Sequence, residues 1–314
     1  MAQILNYIKI IRPINIGFVI ITQYMLRYLV YMPIFESCGK HSGLSELNFL
    51  FLVISTSCIA AAGYIINDYF DIRIDNINKP NKVIVSNHID RRTAIAMHWT
   101  LNTVGILLGF YVAWQVGNIK LGAIHILSAA SLWFYSSNYK KQFLVGNLIV
   151  GVLTAMIILT VMLYEPIIFS AKSFSEQLAV RDIMILSFTY AFFSFMISII
   201  REIVKDIEDI KGDASYYCNT IPVVIGVNKS KIVIFILTGL LLVGTYFVQI
   251  SPYVNQPWIY IFSTIQIPLV YMLWLLKKAD KKADYTLISK MIKLIMFLGI
   301  CSMGYFYYLM KYSQ

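Results

Sequence analysis

The sequence predicts an all-α, polytopic membrane protein, and this prediction rests on composition, hydropathy and the recurrence of long apolar runs. Hydrophobic residues make up 59% of the 314 residues and charged residues only 13%, with a mean hydropathy of +0.70. Soluble domains use about half apolar and about a quarter charged residues, so this chain is too apolar to be one. We expect membrane lipids around the protein and no nucleic acid bound to it.

Nine apolar runs approach the length of about 20 residues that a helix needs to cross a bilayer. Short hairpins around Gly117 and Pro252 join two neighbouring pairs. No long linker or low-complexity segment separates the runs, so residues 1–314 are predicted to form one domain. The runs lie near 14–32, 47–66, 94–115, 119–136, 144–165, 183–203, 231–250, 257–276 and 287–310.

Lysine and arginine residues predict how these spans are oriented. With nine spans, the N-terminus and the loops after spans 2, 4, 6 and 8 share one side, which carries 18 of the 26 basic residues, against 5 on the other side. Loops rich in basic residues stay in the cytoplasm, so we expect a cytoplasmic N-terminus and an external C-terminus. The expected location is a prokaryotic inner (cell) membrane.

The N-terminal residues and the cysteines carry no functional signal. No small-residue cleavage site follows the short amphipathic start, so no cleavable signal peptide is expected. Cys38, Cys58, Cys218 and Cys301 are scattered without a CxxC pair, and we interpret them as small apolar residues.

The first polar motif follows the second span, where residues 63–75 read G-Y-I-I-N-D-Y-F-D-I-R-I-D. Asn67, Asp71 and Asp75 are spaced four apart, and Asp68 shares the i, i+3, i+7 spacing with the two later aspartates. Either set lies on one face of a helix. Because carboxylates crowded on one face repel each other, we expect a cation among them. Oxygen ligands of this kind suit Mg2+.

A second copy of the motif follows the sixth span, where residues 201–213 read R-E-I-V-K-D-I-E-D-I-K-G-D. Asp206, Asp209 and Asp213 repeat the i, i+3, i+7 spacing. With nine spans both motifs lie on the cytoplasmic side, whereas an eight-span arrangement would separate them and weaken the charge asymmetry. Repetition at the same position relative to a span indicates a shared site.

Basic residues at span ends complete the predicted site. Lys140, Arg201 and Lys205 lie near the carboxylates, and a site with Mg2+ and a diphosphate needs such positive charge. Two acidic clusters with Mg2+ form a clamp for a diphosphate, whose departure would leave a carbocation. An apolar membrane interior suits a prenyl chain, and aromatic faces could shield an allylic cation. With 22 tyrosines present, composition does not select the rings.

These motifs resemble those of the UbiA superfamily of intramembrane prenyltransferases, over nearly the whole chain. Residues 67–75 look like that family's NDxxDxxxD motif and residues 206–213 like its DxxDxxxD motif. The segments R-P-I-N at 12–15 and Y-S-S-N-Y-K at 135–140 are also similar to family features. The resemblance implies nine helices around a central cavity with a cytoplasmic polar cap. It also implies Mg2+-dependent transfer of a prenyl group from a polyprenyl diphosphate to a lipophilic acceptor.

The resemblance also implies roles for individual residues. By matching position, the metal ligands are Asn67, Asp71, Asp209 and Asp213. Supplementary or supporting acidic residues are Asp68, Asp75, which is a further candidate ligand, and Asp206. Candidates for binding the diphosphate are Lys140, Arg201, Lys205, Arg12, Asn15 and Lys82.

Two further segments resemble one branch of the family, the digeranylgeranylglyceryl phosphate synthase-like branch, which prenylates a glycerol-phosphate ether lipid. They are I-N-K-P after Asp75 and T-I-P at 220–222, a pattern that the chlorophyll synthase branch shares in part. Where the branch usually reads R-P-I-P-S-G, residues 82–87 read K-V-I-V-S-N. Candidates for binding the acceptor's phosphate are Lys79, Lys82, Arg91 and Arg92.

Three other functions are compatible with parts of the pattern. The acceptor could be an aromatic compound of quinone or related biosynthesis, which is prenylated at a ring carbon. An ion-coupled transporter also carries intramembrane acids, but usually near the bilayer midplane at broken helices, whereas these acids follow the spans. A CDP-alcohol phosphotransferase uses Mg2+ with a single acidic motif, and this chain has two.

Overall fold

The computed structural model of the protein describes residues 2–250 and 258–312, and regular structure in these ranges is helical apart from one isolated bridge between Val85 and Ile89. The all-α prediction is confirmed. The α-helices are α1 (Ala2–Ile10), α2 (Pro13–Met25), α3 (Met32–Ser37), α4 (Glu46–Asn78), α5 (Arg91–Gln115), α6 (Ala123–Ser137), α7 (Val145–Leu163), α8 (Ile167–Ser170), α9 (Phe174–Ser215), α10 (Ile221–Ile225), α11 (Val227–Gln249), α12 (Trp258–Ile261), α13 (Ile267–Lys278) and α14 (Lys282–Tyr312).

Helices of membrane-crossing length make this an integral, multi-pass membrane protein. Short π-helical segments, Leu26–Tyr31 and Phe262–Gln266, join α2 to α3 and α12 to α13 into continuous rods. Within the described ranges, eight helices are long and apolar enough to span a bilayer, and each coincides with a predicted run. The eight are Pro13–Ser37, Glu46–Asn78, Arg91–Gln115, Val145–Leu163, Phe174–Ser215, Val227–Gln249, Ile259–Lys278 and Lys282–Tyr312.

The predicted run at 119–136 is the exception, and the count of nine spans is not confirmed. It folds as a 3-10 turn, Ile119–Gly122, followed by the 15 residues of α6. The α-helix is shorter than a membrane crossing needs because its first residues form the tighter turn and Asn138 ends it. The hairpin predicted around Pro252 lies outside the described residues.

Helices α4 and α9 extend well beyond the apolar runs predicted for them, with 33 and 42 residues. The Ser45 side chain caps the start of α4, and Ser173 and Glu176 form a capping box at the start of α9. Helix α4 ends at Asn78 because Pro80 follows, and a proline disfavours helical backbone in the residue before it. Both acidic motifs therefore lie on the last turns of long membrane-crossing helices.

Helix α9 connects two apolar cores. In its first half, Ile183 is buried in a cluster with Phe49 of α4 and Tyr164. In its second half, Ile200 is buried in a cluster with Ile292 of α14 and residues of α11 and α13. Packing on both halves fixes the axis of α9, and with it the position of the acidic residues at its end.

Candidate active site

The ends of α4 and α9 are held together by one amide side chain. Asn78 donates a hydrogen bond from Nδ2 to the carbonyl oxygen of Asp209 at 2.9 Å and accepts one at Oδ1 from the backbone N–H of Gly212 at 3.0 Å. A Cβ at position 212 would lie 2.4 Å from Asn78 Nδ2, so only glycine admits this contact. The two acidic motifs, far apart in sequence, therefore face a common space.

In the first motif, basic residues contact two of the three aspartates. Lys140 forms an ion pair with Asp71, and both side chains are largely buried, with 11% and 14% of their surfaces exposed. Arg12 forms an ion pair with Asp68 and lies over the ring of Tyr64, 5.0 Å from its centroid. Lys140 and Arg12, both predicted as site residues, are thus brought to the first motif.

In the second motif, each aspartate has a different polar partner. Asn147 Nδ2 donates to Asp206 at 2.8 Å, and Thr220 donates to Asp213 at 3.3 Å. Asp209 forms an ion pair with Lys79, and Lys282 lies 3.8 Å from its other carboxylate oxygen. That oxygen, Oδ1, is buried and has no hydrogen-bond partner.

The charge of Lys79 is stabilised by the site. Burial by itself would lower the pKa of this ammonium group, but the carboxylates of Asp209, Glu208 and Asp75 outweigh that effect and raise it. Lys79 therefore stays protonated and holds a positive charge between the two motifs.

The residues predicted to bind a metal are of the kind that suits a hard divalent cation. In residues 2–250 and 258–312, no three His, Cys, Asp or Glu side chains lie close enough together to hold a metal ion by themselves. The donors are carboxylate oxygens and the amide of Asn67, a combination that suits Mg2+ better than softer metals. The unsatisfied Oδ1 of Asp209 is a buried acceptor of the kind that a cation satisfies.

A cavity of about 460 Å³ lies between the helices and is lined mostly by apolar residues. Tyr64, one helical turn before Asn67, lines it, as do Tyr135 and Phe18. These three rings are among the aromatic side chains of the cavity that could shield a carbocation, a set that composition alone does not identify. Asn67 lines the cavity, whereas the six aspartates of the two motifs do not.

Five of the residues predicted from the sequence line this cavity. Arg201 Nη1 contacts Glu202 Oε1 at 3.3 Å, and Lys205 Nζ contacts the same oxygen at 3.1 Å. Asn15 accepts a hydrogen bond from Lys293 at 2.6 Å. The five are Arg12, Asn15, Asn67, Arg201 and Lys205. The side chain of Lys82 is outside the described part of the structure.

Sequence reasoning missed several residues that the fold brings to the site. Glu202 could have been found, because it lies four residues before Asp206 on the same helical face. Lys293 had a signal too, as a charge inside an apolar span. Asn78, Asn147 and Lys282 gave no such signal, since their contacts join distant segments.

The residues predicted to bind the acceptor's phosphate, in the loop after α4, lie in two different environments. Lys79 is engaged with Asp209. Arg91 lies over the ring of Tyr69, 5.0 Å from its centroid, and both Arg91 and Arg92 are exposed. These arginines face solvent rather than the cavity.

The chain matches known proteins over most of its length. The model of the UbiA prenyltransferase family matches residues 37–308. A digeranylgeranylglyceryl phosphate synthase from Saccharolobus solfataricus is 34% identical over 252 residues, which is 76% of this chain and 80% of that protein.

Solved structures share the fold. A digeranylgeranylglyceryl phosphate synthase structure matches 98% of this chain and 99% of its own, with a TM-score of 0.67 and 26% identity. A UbiA homolog from Archaeoglobus fulgidus, solved with GPP and Mg2+ bound, matches 95% of this chain and 99% of its own, with a TM-score of 0.57 and 12% identity. From the family match and these relatives, the chain belongs to the UbiA prenyltransferase family, as its two acidic motifs predict.

Proposed function

We propose that this protein transfers a prenyl group from a polyprenyl diphosphate to the hydroxyl group of a glycerol-phosphate ether lipid. The observation that carries the proposal is that two acidic helix ends, joined through Asn78, lie beside a cavity. The cavity lining is mostly apolar and also includes four cationic side chains. Relatives named digeranylgeranylglyceryl phosphate synthase, similar over most of their length, support the acceptor class.

Asn67, Asp71, Asp209 and Asp213 are the proposed Mg2+ ligands, and the remaining acids of the two motifs, Asp75 among them, supplement these ligands. The homolog solved with Mg2+ supports a metal in this fold. Bound Mg2+ supplies positive charge that offsets the charge developing on the departing diphosphate.

The lysines that contact the acids are placed to take part in diphosphate binding. Lys140 and Lys79 each pair with one proposed metal ligand, Asp71 and Asp209. Because lysine is a flexible point charge, its ammonium can turn from a carboxylate to a phosphate oxygen. Lys82, in the same loop as Lys79, is proposed to assist.

The transfer itself breaks one bond and forms one. The allylic C–O bond breaks, and its electron pair leaves with the diphosphate. The acceptor hydroxyl oxygen then bonds to the freed carbon, and its proton leaves with the diphosphate. The faces of Tyr64, Tyr135 and Phe18 stabilise the carbocation, and the apolar cavity limits its capture by water.

The proposed orientation puts the acidic helix ends in the cytoplasm of a prokaryotic cell, where soluble diphosphates and Mg2+ are available. The asymmetry of basic residues supports it. Single cysteines at positions 141 and 172, in a variant without native cysteines, should label from the cytoplasmic and external sides, respectively. Labelling of both from one side contradicts this orientation.

Product analysis tests the proposed function. Membranes containing the protein receive labelled geranylgeranyl diphosphate, Mg2+ and geranylgeranylglyceryl phosphate, and the extracted lipids are separated. We expect a labelled diether phosphate lipid, absent with Asp71→Asn. A labelled hydroxybenzoate or naphthoate product, with no labelled phospholipid, would instead assign an aromatic acceptor.

A further inference from the structure

Lys293 places a positive charge in the middle of a membrane-crossing helix. It lies on α14, and its Nζ donates to Asn15 Oδ1 at 2.6 Å and lies 5.2 Å from the centroid of the Phe18 ring. Among the described residues, no carboxylate lies within ion-pair distance of it. Charges inside a membrane span are costly and usually bind a substrate or ion, so we expect an anion to bind beside Lys293.

The cavity that Lys293 lines has an excess of positive charge. Four cationic side chains line it, against the single carboxylate of Glu202, which contacts Arg201 and Lys205. Asp68 pairs with Arg12, which leaves two positive charges uncompensated. Arg201 Nε is also buried without a hydrogen-bond partner.

This positive region lies deeper in the membrane than the acidic ends. Arg201 precedes Asp209 by eight residues on α9, about 12 Å along the helix. Lys293 follows Lys282, which contacts Asp209, by eleven residues on α14, about 16 Å along that helix. Two helices therefore place the excess cations at a similar depth, away from Asp209. Asn67 is the proposed metal ligand that lines the same cavity as these cations.

We propose that Lys293, together with Asn15 and Arg201, binds the phosphate group of the acceptor lipid. This assignment rests on the proposed function. A phosphate monoester carries a charge of about −1.5 to −2 at neutral pH, which matches the excess of two positive charges. The separation in depth leaves room for the donor diphosphate at the acidic ends and the glycerol between the two phosphate sites.

The assignment separates two kinds of cation that the sequence groups together. Lys140 contacts the proposed metal ligand Asp71 and serves the donor. Arg201 and Asn15, predicted from the sequence to bind the donor diphosphate, line the cavity with Lys293 and serve the acceptor. The exposed Arg91 and Arg92 have no part in it.

Kinetics with both substrates test this assignment, using Lys293→Gln and a matched control, Lys290→Gln. Lys290 is exposed on the same helix, one turn nearer the acidic ends. We expect Lys293→Gln to raise the KM for geranylgeranylglyceryl phosphate about tenfold to a hundredfold, because a charge-assisted contact made in the ground state is lost. The KM for geranylgeranyl diphosphate should change little, and Lys293→Arg should restore most of the acceptor KM.

Binding without turnover gives a second measurement. Purified protein in EDTA, without donor, should bind geranylgeranylglyceryl phosphate in the wild type and in Lys290→Gln, and bind it weakly in Lys293→Gln. Retained binding of geranylgeranyl diphosphate with Mg2+ shows that the Lys293→Gln protein is folded.

The outcomes separate this assignment from the proposed function. If Lys293→Gln raises the KM values of both substrates equally, or raises neither relative to Lys290→Gln, Lys293 does not bind the acceptor phosphate. The proposed function still holds in that case if the wild-type protein is active. A wild-type protein that neither binds nor prenylates the phospholipid overturns both.

Discussion

Clusters of charged residues lie at both ends of the helical bundle, and they are built differently. At the end opposite the acidic motifs, Arg27 and Glu165 are sealed from solvent, with 1% and 0% of their side chains exposed and 3.6 Å between Nη1 and Oε1. Arg27 also donates to the carbonyl oxygen of Leu44 at 2.6 Å and to Glu46 at 3.1 Å. Ser42 donates to Glu165 at 2.7 Å.

At the acidic ends, by contrast, the ion pairs of Asp71 and Asp209 use lysine and keep some solvent contact. Lys79 is 25% exposed and Lys140 is 11% exposed. A planar guanidinium buried among acceptors fixes one geometry, whereas a lysine can exchange partners. The difference fits a structural role for the Arg27 cluster and the catalytic role that we propose for the acidic ends.

The largest expected effect is on stability. Arg27→Met removes the cation and leaves the Glu165 carboxylate buried without its partner, which should lower the free energy of unfolding by about 3–5 kcal/mol. Replacing both residues, as Arg27→Met with Glu165→Gln, should recover most of the loss. Unfolding of the wild type and both variants in detergent measures these differences in the free energy of unfolding.

A more exposed ion pair serves as the control. Lys40 and Glu176 are 35% and 23% exposed, so Lys40→Met should cost no more than about 1 kcal/mol. Equal losses for Lys40→Met and Arg27→Met would contradict the structural role of the buried cluster.

The next effect is on turnover. Asp71→Asn and Asp209→Asn each remove a proposed metal ligand and should lower kcat by about 100- to 1,000-fold. Each substitution also removes the ion-pair partner of a lysine, Lys140 or Lys79, so a lower unfolding midpoint should accompany the loss of turnover. The partly exposed Asp182, at the far end of α9, provides the control Asp182→Asn. Full activity of either site variant, or of the wild type in EDTA, would refute the metal clamp.

A smaller effect is expected where the two ends are joined. Gly212→Ala places a Cβ against Asn78 and displaces the amide that connects α4 to α9. Misplacing the two sets of ligands should lower kcat/KM for the prenyl diphosphate about tenfold. Gly239→Ala is the control, since nothing lies within 4 Å of its Cβ. Unchanged kinetics in Gly212→Ala would show that the Asn78 contact does not position the site.

The smallest effect concerns pH. Burial raises the pKa of the Glu165 carboxyl, and Arg27 opposes that rise, so Arg27→Met should raise it further. A folded-state pKa above the unfolded value means that stability is lost as pH rises through the interval between the two. The stability deficit of Arg27→Met should therefore be smaller near pH 5 than near pH 8. The same deficit at both pH values would exclude Glu165 as its source.

Sequence patterns predicted the parts of this molecule that depend on local periodicity. The apolar runs identified eight membrane-crossing helices, and the spacing of Asp71 and Asp75 identified a helical face that the structure places at the end of α4. The run at 119–136 is not confirmed as a span, because its first residues form a 3-10 turn, which hydropathy does not distinguish from the first turn of an α-helix.

Contacts between distant segments could not be predicted in this way. Asn78 meets Asp209 across 131 positions, and Lys293 meets Asn15 across 278. Such pairings depend on how the helices pack, which hydrophobic periodicity does not specify. The roles of the predicted metal and diphosphate residues stay predictions.

We propose that both acidic helix ends together bind one metal–diphosphate group at the mouth of the cavity. A crystal structure with Mn2+ and a non-hydrolysable prenyl thiolodiphosphate tests it most directly, because Mn2+ gives an anomalous signal. We expect anomalous peaks at metal ions that contact both Asp71 of α4 and Asp209 of α9, with Lys140 on the diphosphate and the prenyl chain beside Tyr64. Metal held by one helix alone, or a diphosphate bound at Lys293, would contradict it.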